Sequence, residues 1–348
     1  MSLLNVRKSL LLIVILALIT CFTGSVKADL VWTPQSGWRI EGGMLSGLTG
    51  TEGRDALDLM NKAREAEENH SYRSAIKTYS KVTDKYSTSI YAPEAFYRIA
   101  QVRLAQKDVY KAFDAYQSIL SRYPNVKRFN QIIAEEYKIA SAVLDGARTR
   151  LWLGLPGFSN RERGIGFFEQ IIQNAPYSDY APLALMNVAR GHEFLGNTDE
   201  AVDALDRLIN NYGSSVLAPD AYLRLAKLHA SLVEGAYYDQ GETKQAITYS
   251  EDFMLLFPSD AKIADAAKNL DEMKKMLAES KVKIGDFYFY KRDNYTAARV
   301  FYNEAITSYP NSDVAKTARA KLVEVDAKAS KVANGTPATP AKKKFFFF

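Results

Sequence analysis

Small and aromatic residues recur along this chain at fixed spacing. At Ala75, Ala112, Gly164, Ala201, Ala246 and Ala298 a small residue is followed four positions later by Tyr79, Tyr116, Phe168, Leu205, Ser250 and Tyr302. Eleven positions after the small residue come Tyr86, Tyr123, Ala175, Tyr212, Phe257 and Tyr309, and proline is next in four of the six copies, at Pro124, Pro176, Pro258 and Pro310. Residues four apart share a helical face, a small residue lets two helices approach closely, and a proline stops a helix just after its last buried position. A second pattern alternates with the first. Tyr91-Ala92-Pro93-Glu94-Ala95, Tyr180-Ala181-Pro182-Leu183-Ala184 and Leu217-Ala218-Pro219-Asp220-Ala221 each set a proline at a helix start, where its missing N–H is no loss. Behind them, Phe96, Ile99 and Ala100, then Leu185, Val188 and Ala189, then Tyr222, Leu225 and Ala226 fall on one helical face. The two patterns predict an all-α α-solenoid of about six helical hairpins, each packed on its neighbours.

The intervals between successive small positions are 37, 52, 37, 45 and 52 residues, which predicts extra residues in some connections. Four segments follow. Residues 1–28 read as an export signal, 29–53 as an extended Trp- and Gly-rich arm, 54–326 as the helical array and 327–348 as a disordered tail. In the arm, Trp32, Thr33-Pro34, Gly37-Trp38 and Gly42-Gly43 are turn and strand chemistry, and the tryptophans are expected to pack on the first hairpin or on a partner. Between Gly146 and Gly166 a connection carries Leu153-Gly154-Leu155-Pro156-Gly157 among Arg148, Arg150, Arg161 and Arg163, and is read as a solvated loop. The tail ends in Lys342-Lys343-Lys344 followed by Phe345, Phe346, Phe347 and Phe348.

Charge narrows the class of partner. The formal net charge of +5 includes Arg7, Lys8 and Lys27 of the signal, so the remaining chain carries about +2, too little for the basic stripe that nucleic acid demands. The signal itself has two readings. Small residues at Val26 and Ala28 suit cleavage before Asp29, which would leave no cysteine, whereas Leu18-Ile19-Thr20-Cys21 resembles a lipobox and makes Cys21, the sole cysteine, a candidate for lipidation.

No catalytic constellation is legible. His70, His192 and His229 form no HExxH arrangement, no cysteine pair completes a metal site, and no GxSxG elbow or phosphate-cradling glycine loop occurs. The reading is therefore a binding protein without catalytic residues, metal or cofactor. Register points to a peptide groove on the first helix of each hairpin, the helix that lines the concave side of such arrays. There Arg64, Gln101, Arg190 and Lys227 occupy equivalent places and would meet a carboxylate, with Met60, Tyr97, Met186 and Leu223 one turn earlier for apolar contact.

The module is near the 34-residue tetratricopeptide length, and its small, aromatic and proline positions match that consensus. More narrowly, Tyr72 to about Leu322 resembles the BamD family, the tetratricopeptide component of the machinery that folds β-barrels into bacterial outer membranes. The resemblance is carried by Tyr72-x-x-Ala75-Ile76-x-x-Tyr79 leading to Tyr86 and Tyr91-Ala92-Pro93-Glu94-Ala95. A late block adds to it, running from Ile284-Gly285-Asp286-Phe287-Tyr288 through Arg292, Tyr295 and Ala298 to Tyr309-Pro310-Asn311-Ser312. It implies a periplasmic scaffold at the inner face of the outer membrane. Later repeats would hold the barrel-forming subunit and earlier ones unfolded barrel precursors. Thr20 before Cys21, the Trp-rich arm and the Phe-ended tail depart from the family pattern. Phe345 to Phe348 are read as a segment that docks in a client groove, or that touches the membrane surface beside the three lysines. A periplasmic tetratricopeptide adaptor of the cell-division or Tol-Pal type is the alternative reading.

Overall fold

The alanines of the repeat determine how the helices meet. The computed structural model describes residues 29–41, 51–147 and 160–333, in which thirteen α-helices follow one β-hairpin. The export signal, Cys21, residues 148–159 of the basic connection and the tail with Phe345 to Phe348 lie outside the described residues. The chain forms two compact units that divide between Phe167 and Phe168. The first contains β1 (Asp29–Thr33), β2 (Gly37–Glu41), α1 (Thr51–Glu68), α2 (Tyr72–Lys85), α3 (Tyr91–Ala105), α4 (Val109–Arg122), α5 (Phe129–Leu144) and the first half of α6 (Arg161–Asn174). The second has the rest of α6, then α7 (Tyr180–Leu195), α8 (Thr198–Asn211), α9 (Ala218–Ser231), α10 (Gly241–Leu256), α11 (Ile263–Lys291), α12 (Tyr295–Ser308) and α13 (Asp313–Ala333).

Within each unit most helices pack on their sequence neighbours and, for α1 with α3, α9 with α11 and α11 with α13, on the next but one. That is the contact pattern of stacked hairpins. Five of the small repeat positions, Ala75, Ala112, Ala201, Ala246 and Ala298, and all six residues four places on, from Tyr79 to Tyr302, have no exposed surface. Gly164 is tighter still: a Cβ there would lie 2.7 Å from the Leu144 backbone nitrogen, so only glycine admits α5 that close. The eleventh-place residues close the helices. Tyr86, Tyr123, Ala175, Tyr212, Phe257 and Tyr309 each donate a backbone N–H to the carbonyl four residues back, the last such bond of their helix.

Four expectations need correction. The arm at residues 29–53 is not simply extended: residues 29–41 form an antiparallel hairpin pairing Asp29 with Glu41, Val31 with Arg39 and Trp32 with Trp38. The connection after Gly146 stops at α6, so Arg161, Arg163, Gly164 and Gly166 are helical, because Gly164 is needed at a helix crossing. The 52-residue interval ending at Ala298 is absorbed by α11, a 29-residue helix, and not by a connection. Helix α13 runs to Ala333, past Ala327 where the repeat pattern fades, since the alanine- and lysine-rich sequence there favours helix.

Candidate peptide-binding site

Strand β1 lies beside α1, α3 and the start of α5. Trp38 of β2 is buried, with 5% of its surface exposed, and its backbone N–H donates to Asn61 Oδ1 of α1 at 2.7 Å. Arg64 stacks over the Trp32 ring, 4.2 Å from its centroid, and Asp29 pairs with Lys127 at 2.9 Å. Between β1 and the helices remains a cleft of about 450 Å³, walled by Asp29 to Trp32 on one side and by Arg64, Glu94, Arg98, Lys127 and Arg128 on the other. An adjoining cleft of about 240 Å³ shares Asp29, Leu30, Glu94, Lys127 and Arg128 and adds the apolar surfaces of Ile90, Pro93, Tyr97 and Val126.

The charges are organised. Glu67 accepts from Arg64 and Tyr79 at 3.1 and 3.0 Å and pairs with Arg98. Burial pushes its carboxyl above the usual range, opposed by Arg64. Burial also pushes Glu94 up to about 7, although Arg128 stands 3.1 Å away and draws it down. Arg128 in turn lies over Tyr97, 4.9 Å from the ring centroid, and Gln131 donates to the Tyr97 hydroxyl at 2.9 Å.

The second unit repeats the arrangement without a strand among the described residues. Met186, Leu217, Asp220, Leu223, Arg224, Lys227, Lys262 and Asp265 line a cleft of about 270 Å³ on α7, α9 and the start of α11. Lys262 bonds to Asp220 at 2.5 Å, as Arg128 pairs with Glu94 in the first unit. In both cases the acid follows the proline of a first helix and the cation is the N-cap of the next helix but one in sequence, α5 or α11.

Of the predicted groove residues, the structure brings Met186, Leu223 and Lys227 together, and it sets Arg64 and Tyr97 in adjoining clefts. Leu223 is 3% exposed and forms cleft floor as much as core, against Phe253 and Ala266. Gln101 is turned to the Tyr116 hydroxyl at 2.5 Å, and Arg190 is exposed outside the cleft lining. Met60 is a correction: it is fully buried, because the stacking of α1 on α2 and α3 covers that turn. Sequence reasoning missed Glu94, Arg98, Lys127 and Arg128. The available signal was the acid after the helix-start proline in Pro93-Glu94 and Pro219-Asp220. Among the described residues no group of three His, Cys, Asp or Glu is placed to hold a metal, and no helix is long and apolar enough to cross a membrane.

Comparison with known proteins gives two family matches. Residues 176–334 match the family described as YfiO, outer membrane lipoprotein, and residues 94–125 match a tetratricopeptide repeat. The outer membrane protein assembly factor BamD of Xylella fastidiosa (strain 9a5c) is 25% identical over 169 residues, covering 45% of this chain and 57% of the relative. The same protein from strain Temecula1 is 24% identical over the same length. The chain therefore spans 57% of the length of the curated relatives it matches. Among solved structures, a tetratricopeptide repeat protein from Parabacteroides merdae is similar with 15% identity and a TM-score of 0.30, over 79% of this chain and 100% of that one. The C-terminal part of a repeat protein from Cytophaga hutchinsonii has 16% identity and a TM-score of 0.30, over 74% of this chain and 85% of that one. The resemblance to the BamD family is thus supported by a family match and by curated relatives, and the fold is all-α with tetratricopeptide-type hairpins.

Proposed function

We propose that this chain is a non-enzymatic scaffold of outer-membrane β-barrel assembly, held at the periplasmic face of the outer membrane. The clefts of the first unit hold extended segments of unfolded clients, and the second unit engages a barrel-forming partner. Holding a client beside its insertion machinery raises the effective concentration of one for the other, so binding alone accelerates assembly. The observation that carries this reading is the match of residues 176–334 to the outer-membrane lipoprotein family, which spans α7 to α13 and the Asp220–Lys262 cleft.

Affinity capture of the full chain from detergent-solubilised envelopes tests it. A large β-barrel protein is expected in stoichiometric yield. Recovery of division or Tol-Pal components in its place would overturn the reading in favour of an envelope adaptor.

A further inference from the structure

Strand β1 has one paired edge and one open edge. It pairs with β2 alone, and among the described residues no backbone hydrogen bond outside that ladder involves it. In an antiparallel ladder every second residue directs its N–H and C=O away from its partner, so the open edge offers a row of donors and acceptors. Proteins usually blunt such an edge with lysine, proline or a bulge. Here β1 reads Asp29-Leu30-Val31-Trp32-Thr33, with no lysine or proline, its single charge at the exposed first residue and the rest half-buried. The strand is not held loosely, because Trp38 fastens the hairpin to α1.

Four consecutive residues of β1, Asp29 to Trp32, line the larger cleft together with Trp38 of β2, and Asp29 and Leu30 also line the adjoining cleft. The combined space is within the roughly 300–1,000 Å³ of built ligand sites. The larger cleft carries Arg64, Arg98, Lys127 and Arg128 against Asp29 and Glu94, with Glu67 paired to Arg64 and Arg98, which leaves a small cationic excess. Burial holds Glu94 up at about 7, which weakens its share of negative charge near neutral pH.

We infer that this cleft binds an extended peptide segment bearing an acidic group, which adds as a third strand to the open edge of β1 and sets its carboxylate against Arg98 and Arg128. The backbone ladder supplies affinity with little demand on sequence, and the arginines choose register and charge. This rests on the proposed client-binding role and gives it a mechanism: strand addition at a preformed hairpin.

The test uses the full chain and a fluorescein-labelled octapeptide of alternating valine and threonine with two aspartates. Binding is read by fluorescence polarisation. Methylating the backbone nitrogens along one edge of the peptide should weaken binding tenfold or more, while methylating the opposite edge leaves it within twofold. Lysine in place of aspartate, or the double variant Arg98→Gln/Arg128→Gln, should also weaken it about tenfold. Hydrogen exchange should slow at 29–33 and not at 218–231. Absence of binding, equal binding of both methylated peptides, or protection of 218–231 instead would overturn the inference. So would a red shift of tryptophan emission showing that the peptide displaces the hairpin. Envelope capture of a barrel partner can succeed or fail independently of these results.

Discussion

The hydroxyl of Tyr212 donates to the carbonyl oxygen of Pro176 at 2.6 Å, across 36 residues of sequence. Tyr123 does the same to Ser87, at the same distance and the same separation. Each acceptor directly follows the helix-closing residue of the preceding repeat, so the bond ties the end of one hairpin to the end of the one before. In stacked repeats such nearest-neighbour terms add nearly independently. Tyr123→Phe and Tyr212→Phe should each reduce stability by about 1 kcal/mol, with the double variant close to the sum. Urea unfolding followed by far-ultraviolet circular dichroism is the measurement. A double variant no less stable than either single one would show that the ties are redundant.

Gly285 in α11 belongs to the late block of the family resemblance, and it has a packing reason. A Cβ at that position would stand 2.6 Å from Cε1 of the Tyr302 ring, which is fully buried and held by a 2.6 Å bond to Asp286 Oδ1. Gly285→Ala gains about 1 kcal/mol of helix propensity but overpacks the α11–α12 crossing, which costs about 1–3 kcal/mol. Net destabilisation is expected. Gly166 in α6 is exposed and has nothing within 4 Å of an added Cβ, so Gly166→Ala should stabilise by about 0.5–1 kcal/mol. Thermal unfolding of the two variants should move in opposite directions.

The repeat was legible because its information is local. A small residue and a large one four apart, Ala112 and Tyr116 or Ala298 and Tyr302, declare a helix crossing wherever they occur, and each proved fully buried. What escaped depended on distant partners. Trp32 and Trp38 face each other only once the turn fixes their register, and nothing local says that Asn61 will receive the Trp38 amide. The groove was half legible. Pattern identifies the face of a helix, so Met186, Leu223 and Lys227 converge as expected, but it does not reveal how deeply neighbours cover it, so Met60 is core. Glu136 is buried as well, at a position that no local pattern marks.

Glu136 of α5 is fully buried and burial pushes its carboxyl up to about 8. Gln117 donates to Oε1 at 3.0 Å, and Oε2 has no hydrogen-bond partner. Between its ordinary 4.5 and about 8 the folded chain holds a proton that the unfolded chain has released, so stability falls as pH rises through that window and levels off above it. Glu94, held up at about 7, contributes in the same direction over a narrower range. Glu136→Gln keeps the bond to Gln117 and removes the ionisation. It should be near neutral at pH 5 and stabilising by roughly 2 kcal/mol at pH 9. Urea midpoints at both values, for wild type and variant, check the sign. An equal difference at pH 5 and pH 9 would mean that Glu136 is not the titrating group.

The hairpin should depend on one side chain. An isolated two-stranded hairpin is marginal in water, so β1–β2 persists through its attachment to α1. Its exposed ties are weak: Asp29 and Lys127 are each more than half exposed, and such a pair contributes about 0–1 kcal/mol. Trp38 is the one fully committed contact, and truncating a buried tryptophan costs about 3–5 kcal/mol. Trp38→Ala should therefore release the hairpin while α1 to α5 stay folded, because the helices of the first unit bury their own alanine and aromatic contacts without it. Trp32 then loses the Arg64 stack, and its emission should shift to the red at unchanged helical circular dichroism. Asn61→Ala, which removes only the acceptor for the Trp38 amide, should give the same shift in part. Loss of helical signal together with the shift would instead make the hairpin an integral part of the first unit's core.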